Sequence, residues 1–138
     1  MKISFLFISL LLFSFGYLQN SHNNIYQKEN KIYQLMELDS MPTFKGGYDS
    51  LVSYIDNHFI FPKIHAESSV QGKVICMFIV TETGNITNVK ILQGLDESIN
   101  NEVVRVIYSM PQWNSGKRNG QNVKSEYFLS TFIRMRIE

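Results

Sequence analysis

A chain of 138 residues is long enough for one domain and too short for two. Its formal net charge of +1 provides no excess of basic residues for a nucleic-acid backbone, so no nucleic-acid partner is expected. The apolar fraction of 44% is ordinary for a globular protein and predicts a packed core.

The first residues have the pattern of an export signal. Lys2 precedes an apolar run from Ile3 to Phe15, which is shorter than the roughly 20 residues that a membrane-spanning helix needs. The small residues Ser14 and Gly16 suit cleavage after Gly16. Residues 1–16 are therefore predicted to be a signal peptide, and a short uncleaved N-terminal anchor is the alternative. Either way, the rest of the chain is expected to be exported.

Residues 17–40 are polar, rich in Asn and Gln, and only weakly periodic. They are predicted to form a tether that leads into a domain of residues 41–138. The tether contains no proline, so a stiff polyproline spacer is not expected.

The domain is predicted to begin with a helix. Gly46-Gly47 break the chain before it, and Asp49-Ser50 are typical of a helix cap or first turn. Apolar side chains then recur at helical spacing, at Leu51, Ile55 and Phe59. Phe61-Pro62 should end this helix, and a short second helix is expected over residues 62–66.

The next segment predicts a pair of strands. Lys73–Val80 is apolar on both faces, so this strand is expected in the centre of a sheet. Cys76 is the only cysteine, which excludes an internal disulfide, and in this run it is interpreted as a small buried side chain. A turn at residues 81–85 then leads to a return strand, Ile86–Gln93.

The last third predicts a helix, a loop and a strand. Asp96 is typical of a helix N-terminus, the apolar residues that follow predict an amphipathic helix, and Pro111 ends it. Residues 114–122 are expected to form a polar loop, and residues 123–137 one long final strand. The order α-β-β-α-β predicts an α+β fold, with a three-stranded antiparallel sheet and helices packed on one face.

The chain shows no pattern of residues that would carry catalysis. His22, His58 and His65 have no partner at metal-ligand spacing, and Asp96-Glu97 is interpreted as a helix cap. No catalytic residue, metal site or cofactor is expected, and the chain is not predicted to be an enzyme.

Three groups of residues nevertheless follow one another in a characteristic order and at a characteristic spacing. They are residues 41–47, Met-Pro-Thr-Phe-Lys-Gly-Gly, then Phe61-Pro62 with residues 71–74, Gln-Gly-Lys-Val, then residues 110–113, Met-Pro-Gln-Trp. Together they resemble the C-terminal domain of TonB in the form common in Bacteroidetes-type bacteria. The resemblance covers about residues 41–137 and implies the same α-β-β-α-β order. It also implies a periplasmic location, or an inner-membrane anchor facing the periplasm if the first segment is retained.

The resemblance implies a binding role for the final strand. In TonB-like domains this strand lies at the sheet edge and takes up an extended segment of a partner. The implied partner is a TonB-dependent receptor of the outer membrane or another envelope protein, in energy-transducing transmembrane transport. The implied contact residues are Tyr127, Leu129, Thr131, Ile133, Arg134, Met135 and Arg136. Proline at Ile133 or Met135 is expected to remove a main-chain donor from this edge.

Three residues before the final strand have two interpretations each. Trp113 either fills the core or forms an exposed aromatic anchor in a peptide groove. Lys117 and Arg118 either belong to a solvated loop or form a contact surface for an acidic partner segment or for peptidoglycan.

The chain departs from TonB in two places, of which the first is its short N-terminal apolar segment. All three prolines, Pro42, Pro62 and Pro111, belong to the predicted domain, and the Pro-rich linker typical of TonB is missing from the tether. The alternative function is therefore a free periplasmic structural or interaction protein that keeps the fold without energy transduction, and a homodimer through the same edge is one form that it could take.

Overall fold

The computed structural model describes residues 5–63 and 70–134. The chain divides into two compact units, Met1–Lys31 and Ile32–Glu138. The second unit therefore begins nine residues before Met41, the expected start of the domain.

The first unit contains one helix, α1, from Phe5 to Asn30. This helix includes residues 17–30 of the predicted tether, a stretch without the proline or glycine that would break it. Leu10 and Leu18 on α1 are more than half exposed. Within the described part of the chain, no helix has both the length and the apolar character needed to cross a membrane.

The second unit confirms the predicted fold class. Its described elements are a 3-10 turn at Leu35–Glu37, α2 (Gly47–His58), β1 (Gly72–Val80), β2 (Ile86–Gln93), α3 (Glu97–Tyr108), β3 (Gly116–Arg118), β4 (Gln121–Val123) and β5 (Ser125–Ile133). The predicted order α-β-β-α-β corresponds to α2, β1, β2, α3 and β5.

The main sheet has the strand order β2-β1-β5, and both pairings are antiparallel. The apolar β1 is central, as its sequence predicts. Its residues Val74, Cys76 and Phe78 are fully buried and belong to one core with the buried residues of both helices. The helices therefore cover one face of the sheet.

The two helices begin in different ways. Asp96 caps α3 as predicted, because one of its carboxylate oxygens accepts hydrogen bonds from the amides of Ser98 and Ile99. At α2 the cap is Gly46, which has a φ of 90° and no side chain to contribute. Asp49 lies in the first turn of α2, where its charge favours the helix N-terminus.

The predicted polar loop at residues 114–122 is wrong, because part of it forms a two-stranded sheet. β3 and β4 pair across a two-residue turn of Asn119 and Gly120, which have φ values of 50° and 74°. Asparagine followed by glycine favours this kind of tight hairpin turn. The hairpin also shortens the predicted final strand, because Val123 pairs with β3 and only Ser125–Ile133 pairs with β1.

Two predicted features lie partly outside the described residues. The short helix expected at residues 62–66 extends into residues 64–69, and the expected end of the final strand includes residues 135–137.

Candidate functional site

The two edges of the main sheet differ in regularity. At one edge, the pairing of β2 with β1 shifts register twice, and Asn88 in β2 has a φ of 52°. Such bulges twist an edge and hinder the addition of another strand. At the other edge, β5 pairs with β1 over nine consecutive residues without a shift. The regular β5 edge is therefore the better template for a further strand.

The backbone of β5 alternates between its two sides. In an antiparallel ladder, the amide and carbonyl of one residue point to the same neighbouring strand, and those of the next residue point away. Glu126 donates its amide hydrogen to the carbonyl of Tyr33, on the side away from β1. By alternation, the amides and carbonyls of Phe128, Ser130 and Phe132 also point away from β1.

These outward groups form a free edge within the described residues. No described residue of another element makes a backbone hydrogen bond to Phe128, Ser130 or Phe132.

The register also shows that proline at Ile133 would not remove a donor from the free edge, contrary to the expectation from the sequence. This residue pairs with Gly72 on the β1 side, so proline there would break the core ladder.

A groove runs beside the free edge, with a volume of about 890 Å³. It lies between α2 and β5, so side chains of an added strand would enter it on one side. Its lining includes Tyr48, Val52, Ile55, Asp56, Phe59, Phe61, Lys73 and residues 129–134. Tyr48 is 62% exposed and Val52 is 40% exposed, so the α2 side of the groove offers accessible apolar side chains beside polar ones such as Asp56. Such a surface suits alternate apolar side chains of an extended segment.

The predicted contact residues of the final strand differ in their surroundings. Leu129 and Ile133 are 3% and 4% exposed, so their side chains pack mainly in the core, although both also border the groove. Thr131 and Arg134 border the groove as well. Met135 and Arg136 lie outside the described residues.

Tyr127 stands on the core face of β5, where it is partly buried and packs against the core. Its ring contacts Trp113 and Phe78, with centroid distances of 4.8 and 5.4 Å. Burial raises the pKa of its hydroxyl above the ordinary range, and nearby Tyr48 adds to this effect. Tyr127 therefore contributes a neutral, mostly apolar surface.

The most exposed aromatic residues of this edge were not among the predicted contact residues. Phe128 is 49% exposed and Phe132 is 59% exposed, and both stand on the sheet face opposite α2 and α3. The strict alternation of side chains along β5 places both phenylalanines on that face. Side chains of an added strand that point to this face would lie beside these rings.

Trp113 belongs to the core, so its interpretation as an exposed anchor is wrong. It is 3% exposed and makes edge-to-face contacts with Phe44 and Phe78, at centroid distances of 5.6 and 5.3 Å. Among the described residues, no hydrogen-bond partner reaches its indole nitrogen.

Arg118 is held by the N-terminal side of the domain. Its guanidinium donates a hydrogen bond of 3.1 Å to the carbonyl of Glu37 and lies 5.1 Å from the ring centre of Tyr33. Lys117 is exposed, but its backbone pairs with Ser40 and Asp39. The structure thus places Lys117 and Arg118 on the small hairpin sheet rather than in the groove.

For metal binding and nucleophilic reactivity, the described residues offer few candidates. No group of three His, Cys, Asp or Glu side chains among them is placed to hold a metal ion. Burial raises the pKa of the Cys76 thiol to about 11, so its reactive thiolate form is disfavoured. What the β5 edge offers is hydrogen-bonding groups and apolar surface.

Comparisons with known proteins give matches of two kinds, to a family model and to solved structures. A family model described as Gram-negative bacterial TonB protein C-terminal matches residues 57–132, more than half of the chain. The chain is similar to the solution NMR structure of the Pseudomonas aeruginosa TonB CTD, at 16% identity and a TM-score of 0.46, over 57% of this chain and 80% of that one. It is also similar to the NMR solution structure of the Helicobacter pylori TonB-CTD, at 13% identity and a TM-score of 0.47, over 62% of this chain and 78% of that one. No curated protein matches.

Proposed function

Because this chain belongs to the family of Gram-negative bacterial TonB C-terminal domains, we propose that it binds an extended segment of another cell-envelope protein along the β5 edge. Domains of this family are protein-interaction modules rather than enzymes. The bound segment would add a fourth strand to the sheet β2-β1-β5.

The free edge of β5 carries this proposal. Phe128, Ser130 and Phe132 direct their backbone groups away from β1, and no other described element occupies them. Unpaired donors and acceptors in a regular row are the template that strand addition needs. The groove beside α2 supplies contacts for the side chains on one face of the added strand, and Phe128 and Phe132 supply them on the other.

The proposed partner is the N-terminal segment of an outer-membrane receptor, and the proposed role is in receptor-dependent transport across that membrane. The family supports a place in the cell envelope, and we propose that the second unit faces the periplasm. Intact mass and membrane fractionation would show whether residues 1–16 are removed. A cleaved, soluble chain would exclude energy transduction through an anchor of its own.

The test uses peptides with the N-terminal sequences of outer-membrane receptors from the bacterium that encodes the chain. Fluorescence anisotropy would compare the native chain with Ser130→Pro, which removes an outward amide and leaves the ladder to β1 intact. We expect Ser130→Pro to weaken binding at least about tenfold, because it removes one edge hydrogen bond and obstructs its neighbours. Ser130→Ala keeps the amide and should bind like the native chain.

Circular dichroism must show that Ser130→Pro is folded. A folded Ser130→Pro variant that bound the peptide as tightly as the native chain would disprove the β5 site. Thr131→Pro provides the contrast, since its amide faces β1 and its loss should unfold the domain. Sedimentation of the chain alone would reveal the alternative occupant, a second copy of this chain paired along the same edge.

A further inference from the structure

We infer that residues 32–40, here called the N-terminal strap, fix one end of the strand that β5 accepts. This inference rests on the proposed function and concerns the register and length of the bound segment. The strap would act as an end stop, because it already occupies the beginning of the same edge.

The stop is formed by Tyr33. Its amide donates a hydrogen bond of 2.9 Å to the carbonyl of Lys124, and its carbonyl accepts one of 3.0 Å from the amide of Glu126. These bonds make a parallel bridge between Tyr33 and Ser125 on the outward side of β5. After this bridge the strap turns away into the 3-10 turn Leu35–Glu37. The outward positions before Tyr127 are thus taken, whereas no described residue of another element pairs with those at Phe128, Ser130 and Phe132.

Contacts further along hold the strap in place. The amide of Asp39 donates to the carbonyl of Lys117 at 2.9 Å, and the amide of Lys117 donates to the carbonyl of Ser40 at 2.8 Å. Arg118 bonds the carbonyl of Glu37 and lies over the ring of Tyr33. The strap is therefore fixed to β3 as well as to β5.

An incoming strand gains little by displacing the strap. It would form two hydrogen bonds at Lys124 and Glu126 and break the two that Tyr33 already makes there. It would also lose the contact between Arg118 and the ring of Tyr33. The strap has the further advantage of being part of the same chain, which gives it a high effective concentration. Partner strands should therefore stop opposite Tyr127.

The remaining edge defines a short footprint. From Tyr127 to Ile133 it spans about 20 Å, because six steps of roughly 3.3 Å separate these two residues. Three of its residues, Phe128, Ser130 and Phe132, have outward amides and carbonyls. The partner that fits is a segment of about seven extended residues, with large apolar side chains on both faces.

The experiment compares three synthetic peptides from the N-terminal segment of one receptor. The first matches the free edge in length, and the other two extend it toward the N-terminus or toward the C-terminus. Whichever way the partner runs, one extended peptide points at Tyr33. Binding would be measured on the full chain and on two variants, Tyr33→Pro and Tyr33→Phe. Proline removes the amide that bonds Lys124, whereas phenylalanine keeps the backbone bonds and the aromatic ring.

For the native chain and for Tyr33→Phe, we expect the peptide that points at Tyr33 to bind as tightly as the short one. For Tyr33→Pro we expect it to bind about fivefold more tightly than the short one, because the carbonyl of Lys124 loses the amide of Tyr33 as its donor and can accept a hydrogen bond from the peptide instead. An equal gain with the native chain would overturn the end stop, as would no gain with Tyr33→Pro while the short peptide binds. If no peptide bound any of the three proteins, the proposed function would fail and the end stop with it.

Discussion

Single residues in this domain show how burial decides between packing and binding. Trp113 has the size and polarity of a binding anchor, yet its ring lies among Phe44, Phe78 and Tyr127. Its indole nitrogen has no partner among the described residues, so burial of that group opposes part of the gain from the ring. The large apolar area of the ring outweighs this cost.

Substitutions of Trp113 should separate these two effects. Trp113→Ala leaves a cavity and should reduce the free energy of unfolding by about 3–5 kcal/mol. Trp113→Phe keeps most of the edge-to-face contacts and removes the unpaired N–H group, so its cost should be only about 1 kcal/mol. Urea unfolding followed by circular dichroism measures both. Equal costs for the two variants would mean that the indole nitrogen has a partner after all.

At the scale of the elements, α3 holds the end of α2 through one ion pair. The carboxylate of Glu102 accepts hydrogen bonds from Arg105 and, at 2.8 Å, from the amide of Ile60 just after α2. Arg105 in turn donates to the carbonyl of His58 at 2.7 Å. Because α2 forms one wall of the groove, this clamp also positions that wall relative to the core.

The clamp should make stability depend on pH. The hydrogen bond from Arg105 holds the pKa of Glu102 below its ordinary value, so the carboxylate favours the folded state. This contribution is complete above the unfolded pKa, about 4.5, and is lost as the pH falls through the lower folded pKa. Glu102→Gln should therefore cost about 1 kcal/mol of unfolding free energy at neutral pH, after allowance for partial solvent screening.

Urea unfolding at neutral pH and at about pH 3 tests this dependence. The difference between the native chain and Glu102→Gln should shrink in acid, where the native carboxylate is protonated. Glu97→Gln removes an exposed carboxylate from the same helix and serves as the control. A difference that stayed constant with pH would show that the charge of Glu102 does not stabilise the fold.

At the scale of the whole molecule, the strap belongs to the second unit rather than to a free tether. Tyr33, Asp39 and Ser40 exchange backbone hydrogen bonds with β5 and β3. The compact unit accordingly starts at Ile32. The last part of the polar segment is thus ordered by pairing rather than by apolar burial.

Truncation should reveal this boundary. A chain that starts at Ile32 should keep the stability of the second unit, whereas one that starts at Met41 loses the strap and should unfold about 2–4 kcal/mol more easily. Thermal and urea unfolding of the two truncated chains measure the difference. Equal stabilities would show that the strap contributes nothing to the fold.

The sequence predicted those features whose causes are local. Asp96 predicts the start of α3 because its side chain can cap a helix, and the apolar run of β1 predicts a central strand. The hairpin β3–β4 was missed because its strands are short and polar, and Asn119-Gly120 was its one local signal.

The features of the candidate site arise from contacts between distant segments. The free edge depends on the register of β5 against β1, and the groove on the packing of α2 beside β5. The bridge at Tyr33 joins residues about 90 positions apart, and no pattern near Tyr33 indicates it. The resemblance to the TonB family predicted that the final strand binds a partner at the sheet edge. Which of its residues direct unpaired backbone groups outward could be determined only from the structure.

The bridge at Tyr33 has a mechanical consequence. The segment entering the domain and any strand bound along Phe128–Phe132 would be attached to one and the same strand, end to end. Tension between them would run along β5, and the nine residue pairs with β1 would share it as shear. The helices and the core would lie beside this line of force rather than across it, so a pulled domain could stay folded while its outermost strand carried the load.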